Sequence, residues 1–444
     1  MLKTFKLGGV HPAENKFSAD KAIEALALPT NVFIPVAQHI GAPAQALVKK
    51  GDQVKVGQLI AKAGGFVSAN IHSSVSGTVT KVDLATDASG YPKTGIFIQV
   101  EGDEWDEGII HNEQLIEKFD GTNPKAIIDK INAAGIVGLG GATFPTHVKL
   151  MPPPGMKAEM LIINGVECEP YLTADHRLML EKGNEILVGI RLLMCALGVS
   201  KAYIGIENNK KDAIKHLKQL AASDTGIQVV PLKVKYPQGG EKQLIKAVTG
   251  REVPSGALPI AVGAVVSNVG TAFAVYEAVQ KNKPLVERVV TVTGKSVKKP
   301  SNFMVRVGTA ASELVEAAGG LPDDTGKIIS GGPMMGKAVT SLDIPVTKGT
   351  SGILIIPGKE AKRGNSKNCI RCGRCITVCP MGLEPYLLMT LAEKQLWDKA
   401  EQGAIMDCIE CGSCAFTCPA DRPLLDYIRL GKGKVGQLIR SRKK

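Results

Sequence analysis

The dodecapeptide CIRCGRCITVCP at residues 369–380 returns as CIECGSCAFTCP at 408–419, and this duplication restricts the fold more than any other feature of the chain. Each copy reads C-x-x-C-x-x-C-x-x-x-C-P. Three thiolates at that spacing wrap three corners of an iron–sulfur cubane, while the fourth cysteine of such a run reaches the other cluster of a pair. The spacing therefore assigns Cys369, Cys372, Cys375 and Cys418 to one [4Fe–4S] cluster, and Cys408, Cys411, Cys414 and Cys379 to a second. Zinc is the weaker reading, because structural zinc is held by two separated pairs of ligands.

Between the copies lies MGLEPYLLMTLAEKQLWDKAEQGAIMD, which reads as helix rather than as a short strand and turn and so resembles the link of α-helical ferredoxins. Carriers of this kind handle single electrons. They need a group that trades electrons in pairs with a metabolite, and a flavin is the usual converter. A reducing compartment keeps such thiols free for metal. Of the two cysteines outside the repeats, Cys195 in IRLLMCALG reads as a small core residue and Cys168 stands apart. No apolar run approaches the roughly 20 residues of a membrane span, and the first residues, MLKTFKLGGVHPAENK, lack the core of a secretion signal, so a cytoplasmic location is expected. The net charge of +12 comes without any nucleic-acid-binding motif. The basic end RLGKGKVGQLIRSRKK reads either as a solvated tail or as a docking surface for a membrane assembly or an acidic electron carrier.

At 444 residues the chain suggests several domains, and an α/β multidomain protein is expected. Residues 1–115 contain ALVKKGDQVKVGQLIAKAGG and IHSSVSGTVTKV, short β segments about Gly-centred turns, which resemble the biotinyl/lipoyl type of barrel-sandwich hybrid. Where such carriers bear a modified lysine this chain has Phe66, which implies a docking module without a swinging arm. Residues 116–285 alternate helix and strand in the manner of a doubly wound, Rossmann-like parallel sheet, with HRLMLEKGNEILVGIRLLMCALG read as one long amphipathic helix ended by Gly198. In such a sheet ligands sit beyond the carboxyl ends of the strands. The loops NGVECEP, ENNKK and PQGGEK should therefore converge on one crevice. Residues 286–357 match a β-grasp module of the soluble-ligand-binding (SLBB) kind, and residues 358–444 hold the cysteine repeats behind a polar linker, PGKEAKRGNSKN.

The crevice begins with GLGGATFPTHVKL, where Gly138, Gly140 and Gly141 let the backbone approach a phosphate or a ring at a helix start. Together with INGVECEP and YPQGGEKQLIKAVTGREVPSG, it resembles the flavin- and NADH-binding subunit of respiratory complex I. That family's three motifs fall on Gly138, Gly140, Gly141, Phe144, Pro145, Thr146 and Lys149; on Asn164, Glu167, Glu169, Pro170 and Asp175; and on Tyr236, Gly239 and Glu241. A later segment falls on SNVGT, with Asn268 and Thr271. The resemblance implies that Lys149, Asn164 and the glycine loop hold a non-covalent FMN, with Glu167 and Glu241 near flavin and nicotinamide and Phe144, Glu169, Tyr236, Gly239, Asn268 and Thr271 around them. Leu139, Val166 and Gly240 depart from the pattern. Glu207, at a strand end, is a candidate for the ribose hydroxyls of NAD(H). His147 and His176 belong to no ligand-spaced pair and read as structural.

With the opening GGVHPAENK, the stretch QHIGAPA and the paired cysteine motifs, the whole chain resembles the RnfC family of the Rnf complexes. The resemblance implies a peripheral NAD(H)-binding subunit on the cytoplasmic side of the inner membrane. Its partners would be the other Rnf subunits and, through them, ferredoxin, in a ferredoxin:NAD+ oxidoreductase coupled to Na+ or H+ translocation. Two rivals are a cobalamin-reductase-like flavin/iron–sulfur protein and a non-enzymatic electron-transfer scaffold. The second gives eight cluster cysteines no purpose.

Overall fold

A computed structural model describes residues 2–118 and 123–442. Its central element is a sheet of four parallel strands rich in β-branched residues, in the order Ile227–Leu232, Ala202–Glu207, Met160–Asn164, Ala264–Asn268. Chain order reverses beside Met160–Asn164, so this edge is the switch point at which a doubly wound sheet opens a crevice. Asn164 and Asn268 end adjacent strands at the same register. Helices Pro124–Ala133, Ala174–Glu181, Gly183–Leu197 and Val269–Gln280 bury their apolar stripes in one large core, at whose edge Cys195 packs. Glu241–Thr249 packs the other face through Leu244, Ile245, Ala247 and Val248.

Contrary to expectation, the helix read from His176 to Gly198 is not continuous. It breaks at Lys182 (φ −126°, ψ 32°) into Ala174–Glu181 and Gly183–Leu197. The cause is tertiary. Glu181 accepts a hydrogen bond from the backbone of Ile23 (3.0 Å) and Gly183 packs against Leu220 and His216, so the two halves follow different neighbours.

The barrel is built of two small sheets around Ile34, Ile60, Ile71, Ile96 and Ile98. In the β-grasp unit, the antiparallel pair Glu287–Thr293 and Ser301–Arg306 joins Thr325–Ser330, Lys337–Val339 and Gly352–Pro357 around Ala311–Ala317. A sixth strand of that sheet, Ile23–Ala25, comes from the N-terminal segment. That segment runs as a strap across the molecule. Lys3 bridges Leu232, Gly9 N–H donates to the Val378 carbonyl (2.8 Å), and Val10 exchanges two backbone hydrogen bonds with Tyr236 (2.8 and 2.9 Å).

The cysteine repeats sit among helices Pro385–Glu393, Trp397–Gln402 and Leu424–Arg442, which bears out a helical link between them. The basic C-terminal run is no loose tail. It forms most of the last helix, which buries Ile428 and Val435 and pairs Arg442 with Asp398 (2.9 Å) and Glu401 (2.7 Å). Lys443 and Lys444 lie outside the described residues. No described helix is long and apolar enough to cross a membrane.

Candidate functional site: a crevice and two cysteine clusters

Strand ends and the loop before the sheet build the crevice. Asn164 donates from Nδ2 to the Gly239 carbonyl (2.9 Å) and accepts from Val166 N–H (3.1 Å), which ties NGVECEP to PQGGEK. Cys168 Sγ accepts from Gly239 N–H (3.4 Å), and Lys210 Nζ donates to the Val166 carbonyl (2.8 Å), drawing in the loop after Glu207. The three loops converge as the strand-end rule requires. The glycine loop closes the opposite side. Leu139 N–H donates to Thr271 Oγ1 (2.9 Å), and a Cβ on Gly140 would stand 2.5 Å from Asn268 Nδ2, so only glycine admits this approach. At Gly141 a Cβ would meet nothing within 4 Å, and the N–H groups of Gly140, Gly141 and Ala142 donate to no acceptor among the described residues. A lined cleft with successive free N–H groups fits a phosphate-bearing flavin.

Charges line this cleft. Lys149 Nζ donates to Glu241 Oε1 and to the Val266 carbonyl, both at 2.8 Å, and the pair is half-exposed. Glu167, in a left-handed conformation (φ +45°), accepts from Asp175 N–H (2.8 Å) and His176 N–H (3.1 Å), so it caps the helix below the cleft. Asn268 caps the helix on the other strand by accepting from Gly270 N–H, and donates to Asp175 (2.7 Å). Burial, then the neighbouring Glu167, pushes Asp175 up to about 7. Arg288, from the β-grasp unit, reaches the Leu139 carbonyl (3.5 Å) behind the glycine loop.

Three candidates sit apart from the open cleft. Glu207 is 2% exposed and turned toward Lys210 (3.9 Å) and the Lys235 N–H (3.1 Å), and burial pushes it up to about 7. It serves the frame here, and no ribose-binding surface surrounds it. Glu169 accepts from Met334 N–H (3.1 Å) and Met335 N–H (2.7 Å) and so anchors the β-grasp unit. Burial pushes it up to about 7 as well. Tyr236 is buried and donates from its hydroxyl to the Cys411 carbonyl (2.8 Å). His176 pairs with Asp212 (2.9 Å) and His147 with the backbone of Phe66, both structural as expected.

Cys379, Cys408, Cys411 and Cys414 line one cavity with Met381 and Leu388. The fourth cysteine of the first dodecapeptide thus joins the first three of the second. Burial first, with the other thiols adding to it, pushes Cys408 up to about 11 and Cys411 and Cys414 upward too. Thiols so crowded are held as thiolates only by positive metal. Cys375 and Cys418 share a second apolar cluster with Met389 and Leu424, and Cys369 and Cys372 are exposed beside it. Among the described residues no three His, Cys, Asp or Glu side chains stand close enough for a single metal ion. The sets suit a body of cubane size, not zinc.

Sequence reasoning missed Arg288, the Lys16 ammonium, which donates to the carbonyls of Glu167 (2.9 Å), Glu169 (2.9 Å) and Leu172 (2.6 Å), and the contact of Gln243 with the Pro380 carbonyl (3.2 Å). Each joins segments far apart in the chain, and no local signal marks it.

Fold and site together define a flavin and iron–sulfur electron-transfer protein. The Nuo51 FMN-binding domain matches residues 131–277, the RnfC barrel sandwich hybrid domain 3–103, the SLBB domain 289–338 and the 4Fe-4S dicluster domain 361–422. The chain is 50% identical to the RnfC-type component of the proton-translocating ferredoxin:NAD(+) oxidoreductase complex of Clostridium ljungdahlii, covering 98% of this chain and 94% of that one. It is 46% identical to the counterpart in the Na(+)-translocating complex of Acetobacterium woodii (97% of each) and 43% identical to that in the ion-translocating oxidoreductase complex of Rhodobacter capsulatus (98% and 84%). Among solved structures, an NAD+-reducing [NiFe]-hydrogenase in the H2-reduced state shares the fold at 18% identity, with a TM-score of 0.50 over 74% of this chain and 67% of that one. The chain belongs to the RnfC family of ion-translocating ferredoxin:NAD+ oxidoreductase complexes.

Proposed function

We propose that this chain moves electrons between NAD(H) and two [4Fe–4S] clusters through a non-covalent FMN in the crevice. It does so as the peripheral member, on the cytoplasmic side of the membrane, of a complex whose other subunits translocate Na+ or H+ and bring electrons from ferredoxin. The observation that carries this reading is a shared wall. Tyr236 lies on the loop tied to Asn164 and holds the Cys411 carbonyl with its hydroxyl, so crevice and cysteine cavity are one residue apart.

Bound FMN supplies the exchange between a hydride and single electrons. The chain's own residues hold and orient. Gly138, Gly140 and Gly141 admit the ring and phosphate, with Phe144 and Thr271 behind the loop, and Asn164, Gly239 and Asn268 set the edge of the cleft. Lys149 offers its cation beside Glu241 at the mouth. Glu167 fixes the floor through two backbone N–H groups, a positioning role. Cys379, Cys408, Cys411 and Cys414 hold the inner cluster, and Cys369, Cys372, Cys375 and Cys418 the outer one, at the surface where a partner docks.

The test is anaerobic reconstitution of the full chain with iron, sulfide and FMN, followed by NADH. The expected result is about eight irons and one flavin per chain, both chromophores bleaching. A reconstituted protein in which NADH bleaches neither overturns the reading.

A further inference from the structure

The barrel carries an exposed aromatic ring to the lip of the crevice. Phe66 is 68% exposed at the tip of the loop between strands Leu59–Lys62 and Ile71–His72. The exposed Phe and Tyr side chains among the described residues are Phe17, Phe66, Tyr91, Tyr386 and Phe416. Of these, Phe66 is bonded through its backbone to the glycine-loop segment, where it meets the His147 ring. A second tie is Ile40 N–H donating to the Thr143 carbonyl (3.4 Å), and Ile40 is itself 48% exposed.

The tip is braced rather than hinged. Ser68 Oγ donates to the Ala42 carbonyl (2.8 Å) and accepts from Gly64 N–H (2.9 Å), and Ala42 N–H donates to the Val67 carbonyl (3.0 Å). Asn70 Oδ1 accepts from Ala63 N–H (3.0 Å), and Gly41 (φ +110°) lies so close under Val67 that a Cβ would stand 1.9 Å from its carbonyl oxygen. A swinging arm needs freedom at this position. This loop has none, and its residue cannot be acylated. A rigid ring held in water against a ligand-binding loop is instead a ready stacking platform, preorganised at little entropic cost.

We propose that Phe66 stacks on the adenine of NAD(H) and so makes the barrel part of the dinucleotide site. This rests on the reading of the crevice as a flavin site. With the nicotinamide over a flavin at the strand ends, the rest of the dinucleotide must leave along the glycine loop, past the free N–H groups of Gly140 to Ala142, which suit its pyrophosphate. The path ends where Thr143 and His147 meet the barrel tip. A base–aromatic stack changes affinity by about tenfold or more.

The experiment compares the anaerobically reconstituted full chain with its Phe66→Ala and Phe66→Trp variants, using NADH and reduced nicotinamide mononucleotide, which lacks the adenosine, with an artificial one-electron acceptor. The expected result is that F66A raises KM for NADH about tenfold while the mononucleotide's kcat/KM moves less than about twofold, and F66W restores the NADH value. Flavin and iron per chain stay at the wild-type level. An F66A enzyme with unchanged KM for NADH, or one that loses both substrates alike, overturns the proposal, as does loss of FMN, which would place the ring on the flavin. Wild-type protein that keeps its FMN yet oxidises neither substrate overturns the parent reading, and this proposal falls with it.

Discussion

The two dodecapeptides adopt the same local form in opposite surroundings. Arg371 and Glu410 both take left-handed backbone (φ +54° and +57°), as do Gly373 and Gly412 (+73° and +78°), and each run closes in one turn of helix, Arg374–Thr377 and Ser413–Phe416. Cys411 and Cys414 are nevertheless buried, under the strap at Gly8–Val10, Tyr236 and Met334, whereas Cys369 and Cys372 are exposed beside Ile370, itself 68% exposed. Equal local chemistry thus serves two ends of a wire. Cluster potential follows from solvent exposure and hydrogen bonding as well as from the ligands.

Removing a ligand from either end gives the largest effect. Cys411→Ser should abolish NADH-driven reduction of the outer cluster while the flavin is still bleached. Cys369→Ser should leave the inner cluster reducible, as electron paramagnetic resonance of NADH-treated protein will read. If Cys369→Ser silences the inner cluster too, the order of the two is reversed. Next comes Gly8→Val. Gly8 has φ +64°, and a Cβ there would stand 2.5 Å from the carbonyl carbon and oxygen of Cys379. The strain, on the order of 1–3 kcal/mol before the clash is added, should displace the strap. Iron analysis should show the inner cluster lost and flavin content unchanged. A chelator offered to oxidised wild-type protein should remove about half of the iron in a fast phase, from the exposed end, and a single phase would erase the contrast.

A smaller effect separates crevice from clusters. Asp175 is pushed up to about 7 by burial and then by Glu167, while an unfolded aspartate releases its proton near pH 4. Between these values the folded chain binds more protons than the unfolded one, so this group's contribution to stability falls as pH rises, by at most about 1.4 kcal/mol per pH unit. Asp175→Asn keeps an acceptor for the Asn268 amide, and thermal unfolding of flavin-free protein at pH 5 and pH 8 should show a flatter dependence. The smallest change is Tyr236→Phe, which removes one hydrogen bond to Cys411, about 1 kcal/mol. It should slow cluster reduction by less than about tenfold in stopped-flow traces, with both cofactors retained.

Much of this was legible in the sequence where the signal is local. The cysteine spacing anticipated that Cys379 would leave its own run for the cavity of Cys408, Cys411 and Cys414. Alternating β-branched and amphipathic stretches announced the parallel sheet, and glycines at 138, 140 and 141 marked the loop that meets Asn268. Contacts between distant segments were not legible. Nothing in HRLMLEKGNEILVG announces a break at Lys182, since its cause is Ile23 and Leu220. Nothing near Glu169 points to Met334, or near Tyr236 to Cys411. The expectation that Glu207 faces a ribose came from its strand-end position, and burial against Lys210 decided otherwise.

The sequence alone determined which chemistry the chain can hold, because thiolate spacing and glycine at tight backbone approaches are demands met within a few residues. Tertiary structure alone decided which cluster is enclosed, which acids face the crevice and which barrel residue reaches its lip. Burial and long-range hydrogen bonds depend on segments that lie far apart in the chain, and those segments acquire their neighbours only when the four units pack.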